Sequence, residues 1–158
     1  MMIVDACVWI ASLDAADLFS GESRRFLQAV SAKAVPLCIP SFALVETGCA
    51  VARRRRNSAE GRAVAACIQA MPSLQILDVD QVLLDWALQD GTQGFLRGAD
   101  AIYVAAARLT SSLLITWDDE LLKRANGTTP TDWLAANPKT EFGASKAFPR
   151  GALRNAEI

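Results

Sequence analysis

Four acidic residues stand where a bare carboxylate is costly. Asp5 lies inside the apolar run IVDACVWI, residues 3–10, and Glu46 interrupts FALVETGCAV. Asp100 opens the apolar stretch DAIYVAAARL, and Asp118 follows LLITW. Each alone has an ordinary explanation. Asp5 suits a turn or cap, Asp100 and Asp118 suit helix N-caps, and Glu46 suits a solvated or ion-paired helix position. Gathered together, the four would repel one another strongly, and a divalent cation would remove that cost. An oxygen-only set without His or Cys selects Mg²⁺ or Mn²⁺ over zinc. Such an ion suits phosphoryl hydrolysis.

The chain contains no histidine. This excludes Ser-His-Asp and Cys-His catalysis, His-ligated zinc and imidazole cleavage of RNA. Cys7, Cys38, Cys49 and Cys67 form no CxxC pair and read as small buried hydrophobes in a reducing compartment. With 158 residues, 52% of them hydrophobic, the chain can build one domain with a real core, and its formal net charge of -1 announces no global nucleic-acid affinity. Any such binding needs a local patch. Arg53 and Arg54, in the run ARRRRN, and Arg97, three before Asp100, are the candidates for RNA contact. The arginine run also suits the end of a helix, where it complements the dipole. No apolar run spans a membrane and no leader is evident, so the expected location is the cytoplasm.

The elements that must position these residues alternate between strand and helix. MMIV, VPLCI, LQILDV and SLLIT read as strands. Between them lie helical stretches. One is expected to be capped by Ser41, one by Asn57 with Glu60, one closed by Gly91 and one begun near Asp100. This pattern predicts an α/β fold with a mainly parallel sheet of four to five strands flanked by helices. Ligands of such sheets bind beyond the carboxyl ends of the strands, and all four acids can reach that edge. One domain is expected over residues 1–137. The polar segment 138–158, rich in Gly, Pro and basic residues, reads as a tail or arm.

Four motifs, in order, resemble the PIN domain, and specifically the VapC-type toxin ribonucleases of type II toxin–antitoxin systems. They are IVDACVWIA, the Glu of PSFALVETG, RGADAIYVAAA and LLITWDDEL, spanning residues 2 to about 125. The resemblance implies a Mg²⁺- or Mn²⁺-dependent endoribonuclease whose acidic cluster is Asp5, Glu46, Asp100 and Asp118. Asp5, Asp100 and Asp118 would hold metal, with Thr116 and Asp119 in support. It also implies a homodimer, an RNA substrate and a cognate antitoxin. Cys7 stands where the family often has Ser or Thr. GTTPTDWLAANP, expected to be a turn and short helix capped at Thr131, stands where members often have a further strand. Two other readings stay open: a catalytically silent PIN module that binds protein or RNA, and a metal-dependent DNA nuclease.

Overall fold

The structure is a computed structural model and describes residues 1–138. The chain order is β1 (Met2–Val4), α1 (Ala6–Leu13), α2 (Ser20–Ala32), β2 (Leu37–Pro40), α3 (Phe42–Arg55) and α4 (Ser58–Gln69). It continues through β3 (Leu74–Leu77), α5 (Gln81–Gly94), α6 (Gly98–Leu109), β4 (Leu113–Ile115), α7 (Asp119–Arg124) and α8 (Pro130–Ala136). The strands form one parallel sheet in the order β3-β2-β1-β4, flanked by helices, as the alternating pattern predicts.

The sheet core reads directly from composition. Strands covered on both faces need continuous apolar runs rather than alternating ones. Every residue of β1 and β2 is buried. β1 pairs on both sides, Met2 with Leu37 and Leu113, and Val4 with Ile115. The register places Asp5 and Thr116 side by side just beyond the carboxyl ends, and the Asp5 amide donates to the Ile115 carbonyl at 3.0 Å. The outer edge of β4 carries an abbreviated fifth pairing. Thr116 N donates to Thr128 O at 3.1 Å, and Thr128 N donates to Leu114 O at 2.8 Å.

Several local expectations are corrected. α5 does not stop at Gly91 but runs to Gly94 and closes at Phe95, whose φ of 52° is left-handed. Gly91 serves packing, since a Cβ there would come within 2.8 Å of the Ala101 Cβ on α6. The cap of α8 is Thr129, not Thr131; its hydroxyl accepts from Asp132 N. Ser41 precedes α3 without capping it, and its hydroxyl accepts from Val79 N instead. Asp100 is not a cap but lies in the first turn of α6, behind Arg97. Cys38 is buried and Cys7 half-buried, whereas Cys49 and Cys67 are exposed. α3 and α4 meet through smaller residues: Gly61 sits against Gly48 and Ala52 with no room for a Cβ. The expected tail, residues 138–158, lies outside the described residues apart from Pro138.

Candidate active site

Asp5 ends β1 and caps α1 in one position. Its Oδ1 accepts from Cys7 N at 3.2 Å, and its Oδ2 accepts from Thr116 Oγ1 at 2.6 Å and from Cys7 Sγ at 3.0 Å. Only 6% of the residue is exposed. Thr116 Oγ1 in turn accepts from Asp118 N at 2.9 Å, so one buried hydroxyl ties the first acid to the last. Burial, then the Asp5 charge, pushes the Cys7 thiol well above its ordinary range, so it remains an S–H donor. Cys7 therefore keeps part of the hydrogen bonding that a Ser or Thr would give here.

Asp118 caps α7. Its Oδ1 accepts from Glu120 N at 2.8 Å and Leu121 N at 3.2 Å, while its Oδ2 accepts from Arg97 Nη2 at 2.6 Å. The ordinary capping explanation and the site explanation thus hold at once, on different oxygens. Asp100 accepts from Arg97 Nε at 2.7 Å, and Glu120 lies 3.6 Å from the same nitrogen. Carboxylate oxygens of Asp100, Asp118 and Glu120 all lie within 4.8 Å of one another. The sequence reading missed Glu120. Its signal was weak, because acids in the first turn of a helix are already favoured by the dipole. The structure does not bring Asp119 into this group; it is 85% exposed at the side chain and faces Lys123 across 3.7 Å. Asp118 has extended backbone at the N-cap, φ -75° and ψ 118°, where side chains two apart share a side, so Asp118 and Glu120 face the group and Asp119 turns away.

Electrostatics differ across the group. Burial raises the Asp100 carboxyl, and the Arg97 bond and charge only partly offset it. Burial also acts to raise Asp118, but Arg97 and the Leu121 and Glu120 amides outweigh it, so this carboxyl sits below its ordinary value. The same contacts hold the Arg97 proton more firmly than usual.

Glu46 is placed by Tyr103, from α6. Tyr103 is 1% exposed; its hydroxyl donates to Glu46 Oε2 at 2.8 Å and accepts from Ala6 N at 3.2 Å. Burial, chiefly, and then the charges of Glu46 and Asp5 push the phenol far above its usual range, so it stays a donor. Burial raises Glu46 as well; Tyr103 opposes this, while the negative charges of Asp5 and Asp100 add to it. Glu46 is therefore within electrostatic reach of both.

Two shallow grooves flank these acids. Glu46, Cys49, Arg53 and Arg54 line one of about 410 Å³. Arg54 also borders a second, with Cys7, Trp117 and Asp118. Arg97, the other candidate for RNA contact, is the counter-cation of three carboxylates. A larger apolar groove of about 570 Å³ lies between α5 and α6, lined by Leu84, Leu88, Phe95 and Ile102 with no titratable group.

The donor set fits a hard divalent cation: the three residues that converge, Asp100, Asp118 and Glu120, offer only carboxylate oxygens, and the chain has no histidine. Among the described residues no helix is long and apolar enough to cross a membrane.

Residues 2–127 match the family model of the PIN domain. No curated protein sequence matches the chain. Among solved structures, VapC20 of Mycobacterium tuberculosis, titled a sarcin–ricin loop cleaving toxin, superposes with a TM-score of 0.68 at 19% identity, over 78% of this chain and 94% of that one. A toxin–antitoxin complex from Klebsiella pneumoniae gives 0.58 at 22% identity, covering 82% and 98%. VapBC2 of Rickettsia felis, bound to a DNA fragment from its promoter, gives 0.62 at 13%, covering 81% and 96%. At these identities the likeness is one of fold.

Proposed function

This chain belongs to the PIN domain family, and we propose that it is a divalent-metal-dependent endoribonuclease, the toxin of a toxin–antitoxin pair. One observation carries the reading: Asp100, Asp118 and Glu120 converge within 4.8 Å at the carboxyl edge of a parallel sheet, with Asp5 and Glu46 in electrostatic contact.

Asp5, Asp100, Asp118 and Glu120 would hold Mg²⁺ or Mn²⁺, which lowers the pKa of a water molecule and offsets charge building on the phosphate. The chain's own residues do the rest. Thr116 and Cys7 fix the Asp5 carboxylate, and Thr116 carries that orientation to Asp118. Tyr103 holds Glu46 by Oε2, leaving Oε1 to take a proton from the attacking water. The raised Glu46 carboxyl suits that exchange. With no imidazole to activate a ribose 2′-hydroxyl, water attacks, and the products carry a 5′-phosphate and a 3′-hydroxyl. Arg53 and Arg54 border the acids from α3 and suit phosphate contact. The substrate is a single-stranded or loop region of RNA, where bases are accessible. The name of the Mycobacterium relative favours a structured loop. The complexes among the relatives favour an antitoxin partner. Leu88 and Phe95, 69% and 81% exposed, supply an apolar face for that partner or a second copy.

The test is cleavage of total cellular RNA by purified protein in Mg²⁺, in Mn²⁺ and in EDTA, with Asp100→Asn as control. Discrete fragments that need metal and vanish in the variant are expected. A well-folded wild type that cleaves nothing with either metal would overturn the reading.

A further inference from the structure

The groove of about 280 Å³ beside Asp118 shares Cys7, Arg54 and Asp118 with the mechanism above, but its aromatic wall has no part in it. α1 gives it Cys7 and Ile10, the α1–α2 loop gives Phe19, α3 gives Arg54, and the segment after β4 gives Trp117 and Asp118. Phe19 and Trp117 stack with ring centroids 4.3 Å apart and planes 12° from parallel. The indole is fixed, since its Nε1 donates to the wholly buried Ser23 hydroxyl at 2.8 Å. Phe19 is held by its backbone, its amide donating to Asp17 Oδ1 at 3.0 Å, yet the residue stays 39% exposed. Arg54 is loosely ion-paired with Asp14 and Asp17 at 3.6 and 3.7 Å, beyond hydrogen-bond length, so a phosphate competes only with long charge contacts for its donors.

We propose that this groove is a nucleobase subsite, in which an unstacked base next to the phosphate at the carboxylates stacks on the Phe19–Trp117 pair while Arg54 meets an adjoining phosphate. The proposal rests on the nuclease reading and deepens it. Asp118 belongs both to the carboxylate group and to the groove wall, so the two sites are continuous. The volume falls just under the ~300–1,000 Å³ of small-ligand pockets, which suits one ring system. Asp17 and Asp118 line the groove and repel phosphate, so the neutral base enters and the backbone stays at the rim near Arg54. A pre-stacked, anchored aromatic pair offers its face without first ordering a side chain, and stacking accepts any base.

The test is binding of labelled oligoadenylate and oligouridylate, and of an abasic ribose-phosphate chain of equal length, with Ca²⁺ replacing Mg²⁺ to prevent turnover. Full-length wild type is compared with Phe19→Ala, Phe19→Leu and Phe19→Tyr. Both Ala and Leu should weaken binding of the base-bearing strands about tenfold, the loss expected for one stacked base. Tyr should retain it, and all four proteins should bind the abasic chain alike. Near-wild-type binding by Phe19→Leu would reduce Phe19 to packing and overturn the subsite, as would equal losses on the abasic chain. A wild type that cleaves RNA while Phe19→Ala binds every strand normally overturns the subsite alone. A folded wild type that neither binds nor cleaves overturns the nuclease reading, and the subsite with it.

Discussion

Arg97 and Glu46 are the two residues whose chemistry is least visible in their types. Arg97 spans Asp100, Asp118 and Glu120 with one guanidinium, and so occupies electrostatically the position a metal would take. Arg97→Gln removes this competitor. Mn²⁺ titration followed by electron paramagnetic resonance should show at least severalfold tighter binding in the variant, and unchanged affinity would show that the arginine swings clear at no cost. Glu46 has a raised carboxyl, so its ionised form is disfavoured in the folded state. At low pH the native and unfolded chains both carry the proton and this cost vanishes. As pH rises through the ordinary carboxylate range the unfolded chain ionises first, and stability falls. Glu46→Gln still accepts the Tyr103 hydrogen bond. It should melt higher than wild type near neutral pH, with the difference closing toward about pH 4. Thermal melts by circular dichroism at both values check the sign. The four acids stood out because each interrupts or borders an apolar run. Glu120 and Tyr103 did not, because one hides in an ordinary first-turn acid and the other in an apolar helix, and only the fold brings them to Asp118 and Glu46.

At the level of elements, the strands and most helices follow from run length and periodicity, since β1 and β2 could be buried only as continuous apolar stretches. What escaped was decided by neighbours. Gly91 looks like a terminator, yet α5 passes through it because α6 needs the missing Cβ. Ser41 looks like a cap, yet its hydroxyl is drawn to Val79 by the neighbouring strand connection. Gly61 shows the same logic in a testable form. A methyl there would strike the Gly48 carbonyl and Ala52 on α3. Gly61→Ala gains helix propensity of up to ~1 kcal/mol, but overpacking costs about 1–3 kcal/mol, so a net loss is expected. Because α3 carries Glu46, Arg53 and Arg54, the shift should also lower the proposed RNA cleavage. A melt and a cleavage assay on the same sample test both; a higher melting temperature would mean the helices part without strain.

For the whole molecule, a net charge of -1 means that affinity for a polyanion must come from placement rather than excess. Acids at the ends of β1 and β4 and on α3, α6 and α7 come near one another only in the folded chain, so a cation held by them would bind native protein and not the unfolded chain. A cation bound only by native protein stabilises it by mass action, about 2.7 kcal/mol at a hundred times its dissociation constant. Mn²⁺ should therefore raise the melting temperature of wild type and leave Asp5→Asn nearly unmoved; equal shifts in both would place the ion elsewhere.

The strand order β3-β2-β1-β4 also has a consequence for synthesis on the ribosome. β1 is made first and its inner neighbour β2 soon after, but its other edge waits for β4, whose residues Leu113–Ile115 come late. Until then the nascent chain exposes an unpaired apolar strand, a feature that invites chaperones or stray pairing. The same delay keeps Thr116 and Asp118 away from Asp5. A translation product that stalls before β4 is thus sticky and lacks the assembled acids, and the proposed nuclease activity would appear only once nearly the whole domain has been made.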